Sequence, residues 1–498
     1  MSSNNPEMET IVRTQAQQVG PFTATNNNID IRINGGQVVD MSKSYIECEL
    51  RATITGASVA GAVYPVDVGF GVDNLPAYNV GLVRNCRLRS QNQGSLEDIN
   101  RIDILRTNLN ALTLSRDEKI SLSFGSLAQT QTPAAQRYGL FLDPISEGAE
   151  PSRQLVPRVK IPLSQLFGLG EQSQLDLNRT GNLDFHLELN NTGDTQALNA
   201  TVTNNNADLA TLGLLGVQVA SGPTATGANV PANTAATKTI QLVSRYETLE
   251  DLPFFVNQHC VITFTTQTGD GAIINGAQNI ESIAFDRATG VITLTFPLDV
   301  WSAGATGTLS GCACTPTYTG VTASVSIENV SMVTTTLNGV SPSGQNSYFT
   351  YDTEQLQVTA APNFSQIFTL PPNCINYIAL FPDDTTGGLY SQLDTLADYR
   401  NRLDDVQENT RPVKVGEPLY YEQLRRTLIN GGMRLRDLNL ITDCSQKAEE
   451  SITGGTQWRV IANATPQTQR NKILQMNISA PGGGVKKINV YKQLVKVL

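Results

Sequence analysis

Histidine is almost missing from this chain. Its 498 residues include two, His186 and His259, and only two tryptophans, Trp301 and Trp458. Two histidines exclude a three-histidine metal site, and a Ser–His or Cys–His nucleophile pair would have to use one of them. Charge is scarce as well, at 16% of residues against about 25% in ordinary globular chains. The balance is acidic, with a net charge of −10 and a pI near 4.9. Such a surface repels phosphate, so direct sequence-specific nucleic-acid binding is not expected. No apolar run approaches the roughly 18 residues that would span a bilayer. The opening MSSNNPEMETIVRTQAQQ has no apolar core, so the expectation is a soluble chain without a signal peptide. The seven cysteines are scattered and odd in number, which makes reduced thiols the default.

What the chain does have is turns and alternation. Forty glycines and 23 prolines punctuate short runs that alternate apolar and polar residues. Strands are expected at 29–33, 45–54, 80–88, 159–167, 183–189 and 239–246. More follow at 260–265, 321–327, 356–359, 375–381, 458–462, 473–478 and 488–497. Leu183, Phe185, Leu187 and Leu189 alternate with Asp184, His186 and Glu188, the mark of a half-buried strand. Ile283–Phe296 reads as a hairpin turning at Thr289-Gly290. Residues 220–238 are Ala/Gly/Pro/Thr-rich and read as a long surface loop.

Two segments switch to helical spacing. One is Ser95–Leu114, with Ser95 and Asp98 as a capping pair. The other is Leu389–Gly432, with Ser391 and Asp394 in the same roles and a second helix opening at Pro418. Each excursion sits between strands, which suggests two similar halves. The expected division is an arm at 1–22, a first half at 23–250 and a second half at 251–498.

Chemistry-bearing residues are few, and each has a plain structural alternative. His186 lies on the polar face of its strand, as a base or a surface residue. His259 precedes Cys260, but neighbours on a strand point to opposite faces. Cys312 and Cys314 form a close pair with no further ligand nearby. Asp383-Asp384 and Asp404-Asp405 are either paired carboxylates or solvated loop and helix-end charges. Lys486, Lys487, Lys492 and Lys496 make the last strand basic, as a solvated face, a contact between copies or a nucleic-acid patch. Gly482–Gly484 lacks the strand–loop–helix setting of a phosphate site and reads as a turn. The Asn-x-Ser/Thr triplets at Asn178 and Asn329 carry no weight without a secretion signal. No catalytic, metal or cofactor residue is therefore expected, and the chain is not read as an enzyme.

Several stretches resemble a known family in chain order. LRSQNQGSLEDINRIDILRTNL, VKIPLSQLFGL with LDLNRTGNLDFHLELN, VSRYETLEDLPFF, and ADYRNRLDDVQENTRPVKVGEPLYYEQLRRTL are similar to segments of double jelly-roll major capsid proteins. The last resembles those of virophages, polinton-like viruses and Maverick-type elements. The resemblance implies an all-β fold with short helical excursions, built as two tandem eight-stranded jelly rolls. It also implies a homotrimeric, pseudo-hexagonal capsomer in an icosahedral virion. Its partners would be neighbouring capsomers, penton and minor capsid proteins. Residues 190–238 and parts of 266–350 would be tower or trimer-contact loops, and 1–22 a strap. The reading that competes is a carbohydrate-binding or carbohydrate-active β-sandwich, which the scarcity of tryptophan disfavours.

Overall fold

In the computed structural model the alternating segments pair into sheets in one order, used twice. The structure describes the chain apart from residues 1–7, 24, 57–62, 71–76, 116–117, 119–120, 125–139, 147–152, 156–158, 191–196, 203–212, 220–221, 224–228, 231–237, 244–255, 258, 268–275, 300–306, 317–320, 341–346, 359–360, 383–388, 390, 392–395, 435–459, 467–468 and 481–485.

The first unit contains β1 (Met8–Gln15), β2 (Asn28–Ile33), β3 (Val38–Gly56), β4 (Val83–Ser90) and β5 (Gly94–Asn100). Helix α1 (Ile102–Thr113) follows, then β6 (Val159–Pro162), β7 (Leu183–Leu189) and β8 (Val321–Asn338). One sheet runs β1-β8-β3-β6, with two short strands added on β3, and the other runs β2-β7-β4-β5. The second unit contains β9 (Ser347–Val358), β10 (Asn363–Leu370), β11 (Cys374–Leu380), β12 (Asp398–Leu403) and β13 (Val406–Gln407). Helix α2 (Pro418–Asn430), β14 (Ile461–Ala464), β15 (Lys472–Ser479) and β16 (Lys486–Val497) complete it. Its sheets run β9-β16-β11-β14 and β10-β15-β12-β13, with one short strand added on β12. Every strand of the first unit therefore has its counterpart eight places later. Two antiparallel four-position sheets connected this way are a jelly roll, so the chain folds as two of them in tandem.

Alternation explains the packing. In β7 the four apolar residues are buried and Asp184, His186 and Glu188 are not. Phe167 and Phe185 meet edge to face at 5.5 Å inside the first roll. Tyr399, Leu474, Met476 and Ile478 do the corresponding work in the second. Buried residues of both rolls belong to one continuous apolar cluster.

The rolls differ in their connections. Between β7 and β8 the first roll inserts residues 190–320; Leu198–Val202 pairs with Val63–Phe70, and the other strands build sheets of their own. One orders Gly222–Pro223, Gly213–Val219, Thr239–Val243, Val291–Thr295 and Ser282–Asp286; another orders Asn229–Val230, Gly307–Pro316, His259–Gln267 and Ala277–Asn279. The expected hairpin at 283–296 is present here, with Asp286 opposite Val291. The connection between β15 and β16 covers only residues 480–485.

Four expectations change. The expected boundary at Asp251 falls inside this insertion, and β8, far beyond it, pairs with β3 and β1. Of the expected arm at 1–22, the described part from Met8 on is not free: β1 is an edge strand along β8, and Phe22 is buried in the core. Ser95 and Asp98 do not cap a helix, because Gly94–Asn100 is a strand on β4 and α1 starts after Arg101, whose φ is 54°. Likewise Asp398–Leu403 is a strand rather than helix, and Asp404-Asp405 forms the two-residue turn to β13 with φ of 49° and 66°. Two positive φ values in a two-residue hairpin are the type I′ geometry, which Asp tolerates. Apolar spacing of three and four had masked a strand with Tyr399 and Asn401 inward and Arg400 and Arg402 outward. The second helix stands as expected, with Pro418 in its first turn and Gly432, at φ 79°, just past its end.

Candidate functional site: the seam between the rolls

The residues singled out for chemistry are dispersed. His186 Nδ1 lies 2.7 Å from Asp30 Oδ1 on the outer face of β7. Arg32–Asp184 at 2.5 Å and Arg87–Asp98 at 2.8 Å continue the same solvent-facing ladder of opposite charges. His259 opens its strand opposite Asn279. Cys312 and Cys314 lie opposite Phe264 and Ile262, within the insertion. Asp383-Asp384 and Gly482–Gly484 fall outside the described residues. Lys492 is not a solvated charge: its ammonium is buried and donates to Glu354 at 2.8 Å and Asp352 at 3.3 Å. Among the described residues no group of three or more His, Cys, Asp or Glu could hold a metal ion. Cys48, Cys86, Cys260 and Cys374 are buried and free. Burial pushes the Cys48 thiol up to about 12 and the Cys374 thiol up to about 11, so both are held as thiols.

The concentrated polar chemistry lies instead where the first roll meets the second. Five elements form this seam: β5, α1 and the 3-10 turn Gly168–Glu171 from the first roll, and β9 and β16 from the second. Lys496 donates to the Leu96 carbonyl at 2.6 Å, and Gln172 donates to the Ser347 carbonyl at 3.2 Å. The Arg106 guanidinium sits 5.9 Å from the centre of the Tyr351 ring, within cation–π range. Gly168 lies against β9 so closely that a Cβ there would stand 1.4 Å from the Phe349 carbonyl oxygen. Only glycine permits that approach.

Buried ionisable groups fix the first roll's side of the seam. Glu97 accepts from the backbone N–H groups of Gly168 and Leu169, both at 2.9 Å. Burial raises its pKa; those two donors and nearby Lys496 pull it back. Arg101 forks onto Asp103 with bonds of 3.1 and 2.7 Å, and Asn190 donates to the same carboxylate at 2.8 Å. Burial raises Asp103, opposed chiefly by Arg101. The Tyr491 hydroxyl of β16 then donates to the Arg101 carbonyl at 2.8 Å, tying the last strand to the first roll. Asn108 of α1 donates to the Leu389 carbonyl at 3.0 Å and accepts from the Ser391 N–H at 2.9 Å. Beside it, Leu109 and Leu112 of α1 and Leu424 and Leu428 of α2 line a small cavity against Ile378 and Leu380 of β11.

Sequence reasoning missed Glu97, Arg101, Asp103 and Asn108 as seam residues. Their signal was present but faint: charged and amide side chains interrupt an otherwise apolar run from Leu96 to Leu112, where a surface helix would place them on one face.

This arrangement makes the chain a double jelly-roll protein by fold. No known protein family matches it, and no curated protein does. Among solved structures it is similar to the mavirus major capsid protein, at 9% identity over 99% of this chain and 90% of that one, with a TM-score of 0.41. It is similar to a chain of the Sputnik virophage, at 10% identity over 99% and 86%, TM-score 0.42. It is also similar to the Faustovirus major capsid protein, at 8% identity over 100% and 92%, TM-score 0.45. The fold assignment rests on the strand order described above.

Proposed function

We propose that this chain is a major capsid protein: a structural subunit that self-associates into trimers, which then tile a closed icosahedral shell. The observation that carries the reading is the seam. Two jelly rolls of identical strand order are locked rigidly in one chain through a buried polar and apolar contact, giving a wide block with repeated sides. Rigid blocks with repeated, complementary sides are what a closed lattice requires. The sequence resemblance to double jelly-roll capsid subunits points the same way. On this reading the chain resides in the virion, does no catalysis, and meets neighbouring trimers, penton and minor capsid proteins. The insertion at 190–320 is its candidate tower. We place the division between the rolls in the link at 339–346.

Light scattering of the purified protein tests the reading. The expected mass is about 161 kDa, three times the 53.7 kDa chain. A stable monomer that binds or cleaves a polysaccharide would overturn it.

A further inference from the structure

We infer that the Glu408 carboxyl is a proton-operated clasp on the second roll: protonated, it fastens the two sheets together at one edge, and ionised, it lets that edge loosen. The inference rests on the fold and does not depend on how copies of the chain assemble.

The two sheets of the second roll end in β14 and in β13. Glu408 is the first residue after β13, and its N–H donates to the Asn401 carbonyl of β12 at 3.0 Å. That bond ties its backbone to one sheet, and its side chain crosses to the other. The carboxyl accepts from the Tyr377 hydroxyl of β11 at 3.1 Å and from the Asn463 amide of β14 at 2.6 Å. Tyr377 and Asn463 are register partners on neighbouring strands, so both grip the same carboxyl oxygen. The Asn401 side chain completes the cluster by donating to the Tyr377 hydroxyl at 2.5 Å. One carboxyl group thus joins β11, β12 and β14 across the interior of the roll.

The cluster is short of a donor. Asn401 is 1% exposed, and its Oδ1 is buried without a partner. A carboxylate only accepts, whereas a protonated carboxyl adds one donor to the same atoms. The bonds then run the other way, from Glu408 to the Tyr377 oxygen and from the Tyr377 hydroxyl to Asn401 Oδ1, after a half-turn of the amide.

The first roll shows the same place without a switch. Arg101 follows β5 as Glu408 follows β13, and its N–H is likewise held by an asparagine, Asn85 of β4, at 2.8 Å. There Asp103 neutralises the charge. Glu408 has no ion-pair partner among the described residues. The titratable groups that face it are Tyr377 from β11, Tyr399 from β12 and Lys472 from β15; β13 and β14 contain none. Burial pushes both tyrosines well above their ordinary range, so neither ionises between acid and neutral pH. Lys472 acts from a distance, its ammonium donating to the Pro466 carbonyl. Burial raises the pKa of Glu408, and Asn463, Tyr377, Asn401 and then Lys472 pull it back. A carboxyl raised in this way favours the closed edge most below the ordinary carboxylate range, and the advantage is lost as pH rises through the raised value.

The test is hydrogen exchange of the full-length protein, read by mass spectrometry on peptides covering β12–β13 and β14 over a series of pH values and corrected for the intrinsic rate. Opening of this edge is expected to grow by up to about tenfold per pH unit above the ordinary carboxylate range and to level off past the raised value. Glu408→Gln keeps the shape and cannot ionise, so its profile should be flat. Tyr377→Phe removes a donor to the ionised form and should move the levelling-off to higher pH; if Glu408→Gln fails to fold, this shift decides alone. Glu97→Gln, at the seam, should leave the local profile as in the parent. A parent profile that does not change with pH, a Glu408→Gln profile as steep as the parent's, or a Tyr377→Phe profile that does not move would overturn the inference. Flattening by Glu97→Gln would place the switch at the seam instead.

Discussion

The sheet β1-β8-β3-β6 and its counterpart β9-β16-β11-β14 share one order and have opposite outer faces. In the second roll, α1 and α2 cover the outside, and every residue of β11 is buried. In the first, the outside carries Arg13 paired with Glu47, Arg51 with Glu328 at 3.1 Å, Asn329 donating to Glu49 at 2.5 Å, and Lys160 over the Tyr45 ring at 4.0 Å. The backbone plan does not decide which chemistry a sheet shows outward; the neighbour does. A strand packed on both faces by apolar neighbours reads as one apolar run, as CINYIAL does, while a strand whose outer face meets polar partners alternates, as YIECELRA does, with Glu47 and Glu49 buried beneath Arg13 and Asn329.

That comparison can be broken at the seam. Gly168→Ala should have the largest effect, because its Cβ meets the Phe349 backbone, which cannot step aside; the expected loss is about 3 kcal/mol or more in denaturant unfolding. An unaltered midpoint would mean the rolls are not held at that point. Asn108→Leu comes next. It strands the Leu389 carbonyl and the Ser391 N–H in a dry interface, for an expected cost of about 2 to 4 kcal/mol in the same measurement.

Glu97→Gln sharpens the comparison through pH. Burial raises the folded-state pKa of Glu97 above its unfolded value. The carboxyl therefore favours the folded state most when protonated, below its ordinary range, and that advantage is lost as pH rises through the raised value. Melting temperatures of parent and variant should accordingly diverge in the variant's favour as pH rises from acid to neutral. Parallel curves would show that Glu97 does not change its ionisation across that range. The smallest effect is expected at the β12–β13 turn. Asp405→Gly relieves a positive φ of 66° and should raise stability by about 0.5 kcal/mol, read as a small increase in melting temperature.

Much of the strand inventory was legible because burial on one face imposes period two. LDFHLEL, IDIRI and VITLTF all fold as their alternation requires. Failures came where another constraint overrode the period. In β5 a bulge beside Leu88 and Arg89 turns both Leu96 and Glu97 inward, so the segment looked helical. In β12 the spacing of Leu396, Tyr399 and Leu403 matched a helix by coincidence. The division of the chain was illegible for a different reason. Local patterning cannot report which strands pair across hundreds of residues, so an insertion rich in strands of its own passed for part of two equal halves. The seam was the least legible of all, since buried Glu97, Arg101 and Asp103 are informative only once their partners from β16 and the Gly168 turn are in place.

The pairing of Glu9 with Leu337 has a consequence for how the protein is made. The second roll is contiguous, from 347 to 497, so β9 waits for β16 across a far shorter stretch of chain. The first roll cannot close until β8 has been synthesised, which at about 5 to 20 residues per second leaves β1 waiting on the order of tens of seconds. During that interval Ile11 and Val12 have no sheet to join. Folding of the first roll is thus paced by the ribosome and dominated by a loop closure of very high contact order. The part of the chain made first is among the last to find its place.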